Sequence, residues 1–402
     1  MFLYPVNGNS IVDVVEILKA LVSIPSVNPM GRDLSGPEYF ETRVSEWLCG
    51  FFAEREIPHE RIEVVEGRAN VIARVDAGPD RPTVILDAHQ DTVPVDGMTI
   101  EPFDPIVRDG RLYGRGACDV KGGMAAMLHA VARLAAERPA DAVNVVMSCT
   151  CDEEATVQGI NDLVRLWTDD SRHSDLLPDK PDVALVAEPT NLDIVVAHRG
   201  ATRWQVRTGG RACHSSQPEQ GINAIYRMAK VIAGLEEYAA TLADRVTPHP
   251  LCGPATLSIG RITGGVSVNT VPDECLIEVD RRVIPGENGA EVMDDVLAFL
   301  QERVEVPFEF LPPWLTGLPL PDDGNQAWAA RLLEHVSSVA GPHRTVGVPY
   351  GTHASRFANA GVPGIVCGPG SIDQAHTKDE WLAIDELEQA AEAYYRFCSV
   401  AV

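Results

Sequence analysis

Four short runs of this chain are apolar almost throughout: TVILDAH (83–89), VNVVMSCT (143–150), DVALVAE (182–188) and GIVCG (364–368). A strand buried on both faces has no reason to alternate polar and apolar side chains, so such runs read as parallel strands of a covered sheet. Between the first two lies KGGMAAMLHAVARLAAE (121–137), an amphipathic helix that opens on two glycines. Strands alternating with helices predict an open α/β sheet. Helical spacing also marks residues 10–22, with Ser10 as N-cap, the stretch Gly36–Ile57, and the C-terminal IDELEQAAEAYYRFC, while Asn70–Asp76 alternates as a strand.

The pattern changes near His198. From there the order is strand (TRWQVRTG), long helix (GINAIYRMAKVIAGLEEYAATLA), two strands (ATLSIGRI, ECLIEVDRRV), helix (AEVMDDVLAFLQERV) and strand (PFEFLP). That β-α-β-β-α-β series is the ferredoxin-like split motif. The Pro-rich LPPWLTGLPLPDDG reads as a linker back to the first domain. A length of 402 residues already favours two domains. The expected division is 1–197 and 314–402 for an α/β domain, with 198–313 as an inserted α+β domain.

A formal net charge of −25 repels phosphate backbones and anionic lipid, so neither nucleic acid nor membrane is an expected partner. The nine cysteines are scattered without a CxxC pair and read as buried free thiols of a reducing compartment. With no leader-like N-terminus and no membrane-length apolar run, the expected location is the cytoplasm.

Polar clusters stand just beyond the apolar runs. They are His89 and Asp91 in DAHQDTVP, Asp119 in GRGACDVKGG, Asp152-Glu153-Glu154, Glu188 in AEPT, and His376 in GPGSIDQAHTKDE. Each alone is weak: Asp119 could simply cap a helix, and paired glutamates are usually a solvated face. Together they form a pattern, because the carboxyl ends of strands in an open α/β sheet converge on one crevice. Two cations need about six to eight protein donors with one shared, and this set supplies them. The assignment is His89, Asp119 and Glu188 to one metal and Asp119, Glu154 and His376 to the other, with Asp119 bridging. Asp91, two residues beyond His89 on an extended strand, would orient the imidazole through its second nitrogen. Glu153 is left as general base. The mixed nitrogen and oxygen donors suit two Zn²⁺ ions, with Co²⁺ or Mn²⁺ as substitutes.

These residues in this order resemble the M20 family of metallopeptidases and deacylases, over nearly the whole chain from LVSIPSVNP to AHTKDEW. HQDTVP, GRGACDVKGG, the glutamate pair, AEPT and AHTKDE match the family's ligand and base segments. The resemblance implies a zinc-exopeptidase-like catalytic domain with an inserted lid that makes a homodimer. It further implies hydrolysis of an amide by metal-bound water. In the lid, CHSSQPEQGINAI places His214 as the residue that reaches a partner's site and binds the oxyanion. Asn269 in NTVPDE and Arg282 in DRRVIPG are similar to substrate-carboxylate binders, and Gly351 is a further expected substrate-binding position.

Within the family, VCGPGSIDQAHTKDEW looks most like the acetylornithine deacetylase and succinyl-diaminopimelate desuccinylase group. The expected substrate is therefore an N-acyl amino acid. Dipeptidase or carboxypeptidase action is the alternative, and a non-catalytic metal-binding protein a remote one, since Glu153 is present. One departure stands out. Where the resemblance leads to an acid in G-T-[DE]-A, this chain reads Gly351-Thr352-His353-Ala354, which bears on whether a cationic substrate tail is read there.

Overall fold

A computed structural model describes residues 13–400 of the chain. They form two compact units. One holds the chain up to Val196 with Asp322–Val346 and everything from Thr352 on; the other holds Ala197–Pro321 with Gly347–Gly351.

In the first unit, helices α1 (Val14–Val22) and α2 (Thr42–Ala53) precede the antiparallel pair β1 (His59–Val65) and β2 (Arg68–Val75). Then come β3 (Thr83–His89), the short ribbon β4 (Ile106–Arg108) and β5 (Arg111–Tyr113), α3 (Lys121–Glu137) and β6 (Asn144–Thr150). Short helices α4 (Gln158–Leu163) and α5 (Arg165–Thr168) lead to β7 (Val183–Val186) and β8 (Ile194–His198), where the chain passes to the second unit.

The second unit contains β9 (Gly200–Gly209), α6 (Ala224–Arg245), β10 (Thr256–Gly264), β11 (Glu274–Val283), α7 (Val292–Arg303), β12 (Glu309–Phe310) and β13 (Leu315–Gly317). The chain continues with α8 (Gln326–Ala340), β14 (Thr345–Val348, which runs into the Gly347–Gly351 segment of the second unit), α9 (Ala354–Asn359), β15 (Gly364–Val366), β16 (Trp381–Ala383) and α10 (Ile384–Ser399).

The large sheet runs β1-β2-β6-β3-β7-β15-β8-β14. The four apolar runs of the sequence are its centre: β6, β3, β7 and β15 pair parallel in that spatial order. β6 is buried along its whole length, as a strand covered on both faces must be. Helices α1, α3 and α10 share one apolar core with it, in which Leu18, Met127, Val145 and Tyr394 are fully enclosed. The double glycine that opens α3 is required by close packing. A Cβ on Gly122 would stand 2.5 Å from the Ala117 carbonyl oxygen, and one on Gly123 2.7 Å from the Ala187 Cβ.

Helix starts differ from the sequence reading in two places. Ser10 lies outside the described residues, and Asp13 caps α1, its carboxylate accepting from Val15 N–H at 2.8 Å. The stretch from Gly36 begins as turns rather than helix: Phe40 has φ 63°, and α2 starts only at Thr42.

The second unit's sheet runs β10-β11-β9-β12, all antiparallel, with β13 also on β9 and helices α6 and α7 on one face. This is the split β-α-β-β-α-β order, and α/β with an inserted ferredoxin-like unit describes the fold. One detail departs from expectation. The Pro-rich stretch is not all linker, because Leu315–Gly317 pair with Arg203, Thr202 and Ala201 of β9. Pro312 and Pro313 lack the N–H groups a ladder needs, so they divide the edge strand into β12 and β13. All nine cysteines are free thiols, seven of them buried. Among the described residues no helix is long and apolar enough to cross a membrane.

Candidate metal centre

β3 ends on His89, and β6 ends at Thr150, two residues before Asp152-Glu153-Glu154. Glu188 follows β7, and His376 follows β15. Asp119 lies two residues ahead of α3. All belong to the first unit. Asp119 is the meeting point. Its Oδ1 lies 3.2 Å from His89 Nε2, and its Oδ2 lies 3.3 Å from His376 Nε2. His376 Nε2 is also 3.3 Å from Glu154 Oε2. The ligating atoms of His89, Asp119 and Glu154 all fall within 4.8 Å of one another.

Electrostatics here are those of too many acids in too little water. Burial, with the negative charge of Asp119 next, pushes the Glu154 carboxyl up to about 8. Burial likewise raises Glu188, well above the carboxylate range, with Asp119 and Glu153 adding to it. Glu153 is raised by burial too, while the imidazoles of His89 and His353 pull it back. Hydrogen bonds to Asp119 and Glu154 lift His376 to about 10. Burial opposes the charge on His89, but its bond to Asp119 and the charge on Glu153 outweigh that, and it too lies high. Asp119 is held low despite burial by the two histidines.

A buried cluster of this composition fits divalent cations, which would neutralise the carboxylates and free both imidazoles to ligate. Glu154 Oε1 supports the fit directly, being buried with no hydrogen-bond partner. His89 Nδ1 donates to the Asp91 backbone carbonyl at 2.9 Å, which leaves Nε2 as the ligating nitrogen.

That bond corrects one expectation. The Asp91 carboxylate does not orient His89; it lies 3.7 Å from Nδ1 and is engaged elsewhere. It accepts from the backbone N–H groups of Glu153 and Glu154 at 3.0 and 3.1 Å, and from Asn28 Nδ2 at 2.8 Å. Three donors outcompete one imidazole. The side chain of Asp91 therefore holds the turn that carries both glutamates.

Comparison with known proteins fits this arrangement. Residues 85–399 match the peptidase family M20/M25/M40. The chain is 31% identical to an acetylornithine deacetylase of Vibrio vulnificus, covering 96% of this chain and 98% of that one. It is 30% identical to the acetylornithine deacetylase of Vibrio campbellii, over 95% and 97% of the two chains. The chain belongs to the M20 family.

Solved structures agree in fold. An M20 family metallo-carboxypeptidase from Sulfolobus solfataricus superposes with TM-score 0.76 at 17% identity, over 96% of this chain and 99% of that one. The YXEP protein of Bacillus subtilis, a dinuclear metal-binding peptidase of the family, gives TM-score 0.65 at 17% identity over 96% of each chain. By its family this M20 chain is a hydrolase.

Around the centre of this M20 protein lie residues that sequence reading did not single out. Arg68 is clasped by Glu41, with Nε to Oε2 at 2.9 Å and a second bond from Nη2 to Oε1. Its Nη1 reaches Asp152 Oδ1 at 2.7 Å, and Asn28 joins Asp152 to Asp91. On the other side, Glu380 accepts from Cys118 and Asp119 N–H at 2.9 and 3.0 Å, from Gly116 N–H at 3.0 Å and from Arg115 at 2.6 Å. Asp152 and His376 both have left-handed backbone, φ 62° and 61°. That conformation costs a non-glycine residue of order 1–3 kcal/mol and is kept where surroundings enforce it.

The remaining expected residues lie in the second unit. His214 is exposed, with Nδ1 2.7 Å from Ser216 Oγ, and pairs through its backbone with Thr270, next to Asn269. Asn269 Oδ1 accepts from Ser267 Oγ. Arg282 does not join them; on β11 its Nε donates to Asp280 at 2.7 Å. Gly351 is exposed in the short Gly347–Gly351 segment.

Proposed function

We propose that this protein hydrolyses the amide bond of an N-acyl amino acid, in the manner of its acetylornithine deacetylase relatives, with Glu153 as general base. The observation that carries the reading is the Asp119 carboxylate with one histidine on each oxygen, beside an unpartnered buried Glu154 oxygen. His89, Asp119 and Glu188 would hold one ion, and Asp119, Glu154 and His376 the other. Zinc is the best match to these donors, and divalent ions held there would supply Lewis-acid polarisation of the scissile carbonyl and acidification of the attacking water.

Glu153 takes the proton from the attacking water and passes it to the leaving amine. Asp91 supports this indirectly, because its carboxylate fixes the Glu153 and Glu154 amides. Asn269 and Arg282 recognise the substrate carboxylate, for which the Arg fork is suited once released from Asp280, and Gly351 joins them in substrate binding. His214 of one protomer serves the site of its partner in a homodimer, hydrogen-bonding the oxyanion.

Glu153→Ala is expected to lower turnover by about 10²–10⁴-fold while still binding two zinc ions per chain. Zinc lost in that variant would show the roles of Glu153 and Glu154 to be exchanged. A panel of N-acetylornithine, N-succinyl-diaminopimelate and dipeptides tests the substrate class. His353, standing in place of an acid, weighs against a cationic tail, and brisk dipeptide cleavage without deacylation would establish the exopeptidase alternative.

A further inference from the structure

Glu41, Arg68, Asp91, Asp152 and the amide of Asn28 are buried together beside the turn that carries Glu153 and Glu154. Glu41 occupies the N-cap position of α2, yet its side chain makes no capping bond there. Its Oε1 accepts instead from the Asp152 N–H at 3.2 Å, as well as from Arg68 Nη2. Arg68, the first residue of β2, sends Nη1 to Asp152 Oδ1 at 2.7 Å and holds Nη2 4.0 Å from Asp91 Oδ2. Buried ions gain little stability over apolar residues of the same volume, so the cluster is better explained by what it holds.

It holds Asp152, which has left-handed backbone. Every polar atom of that residue is engaged. Oδ1 takes Arg68 and Asn28 Nδ2, the latter at 3.0 Å, and Oδ2 takes Thr156 Oγ1 and Gln158 Nε2. The carbonyl accepts from Val157 N–H at 2.7 Å, and the amide goes to Glu41. The next two amides, of Glu153 and Glu154, go to Asp91 Oδ1 and Oδ2. Three successive N–H groups thus each meet a buried carboxylate oxygen, and Asn28 ties the two outer anchors together.

We propose that Glu41 and Arg68 are positioning residues for Glu153: they lock Asp152 in its left-handed conformation and so fix the direction in which the next side chain leaves the backbone. The inference rests on Glu153 being the base. A ligand such as Glu154 is further anchored by the ion it binds, whereas a base has only its backbone to aim it. The load therefore falls on Glu153. Arg68 is suited to the task because a planar fork bonds Glu41 and Asp152 at once, which the point charge of a lysine cannot do.

Two variants of the zinc-loaded enzyme test this, with the substrate it turns over best. Arg68→Lys should lose about 10–100-fold in kcat with KM changed less than about threefold, since a misaimed base is felt in the chemical step. Glu41→Leu combined with Arg68→Met removes both ions; it should melt near wild type and still lose kcat. Should that double variant not fold, Arg68→Lys carries the test alone. Hydrogen exchange read by mass spectrometry should show the Glu153 and Glu154 amides opening about tenfold faster in each folded variant. Zinc content should stay that of wild type.

Unchanged exchange at those amides would overturn the lock. Faster exchange with unchanged kcat would overturn positioning, and a raised KM with unchanged kcat would point to substrate contact instead. Lost zinc would show that the lock serves Glu154. Glu153→Ala, assayed alongside, separates the two claims. Surviving turnover there ends the base assignment, whereas its inactivity beside a fully active Arg68→Lys ends the positioning proposal alone.

Discussion

One carboxylate, Glu380, gathers the stretch from Arg115 to Asp119 by accepting three backbone N–H groups and a guanidinium. It lies four residues beyond His376, so a single side chain fixes the loop of one ligand to the segment of another. Glu380→Gln keeps the shape but turns an amide NH₂ toward donors. Zinc affinity measured by titration calorimetry is expected to fall about 10–100-fold, and an unchanged affinity would refute the role. No sequence signal announces such a residue. Arg115 and Glu380 are 265 positions apart, and Asn28 and Asp91 are 63 apart. The candidate ligands were legible as acids and histidines beyond apolar strands or, for Asp119, just ahead of a helix. Their supports are visible only in three dimensions.

Helices α1 and α3 meet at a buried ammonium. Lys121, in the first turn of α3, donates to the carbonyls of Leu21 and Ile24 at 3.0 and 2.7 Å, at and just beyond the end of α1. Burial lowers its pKa to about 7 from an ordinary 10.5. Between those values the unfolded chain holds a proton that the folded chain does not, so stability rises with pH across that window. Below it both states are charged and the dependence ends. In urea unfolding, the stability of wild type relative to Lys121→Met is expected to grow in favour of wild type from pH about 7 to about 9. A constant difference would contradict the assignment. At this scale the central strands were readable, because full burial writes an unbroken apolar run. The split motif was readable from alternation, as in β11, where every second residue is enclosed. β13 was not, since three residues after a proline pair carry no periodicity. Nor was the Gly347–Gly351 excursion, too short to leave a pattern.

For the whole molecule, the second unit presents β10 as an open sheet edge, with Ile262, Val266 and Val268 exposed on and just beyond it. Apolar edges of this kind invite pairing between copies. Light scattering is expected to give a dimer for wild type and a monomer for Ile262→Glu combined with Val268→Glu. That monomer should be inactive, as should His214→Ala in an intact dimer; a fully active monomer would end the cross-protomer role. The position of β15 has a different consequence. It lies between β7 and β8 in the large sheet, yet it is made only after the whole of the second unit. A chain emerging from the ribosome therefore carries a sheet with a gap at its middle. The insert, complete by Pro321 but for the short Gly347–Gly351 segment, can close first, while the body that bears His89 and Asp119 waits for β15. His376 arrives behind that strand, so the second imidazole is added only once the sheet can close.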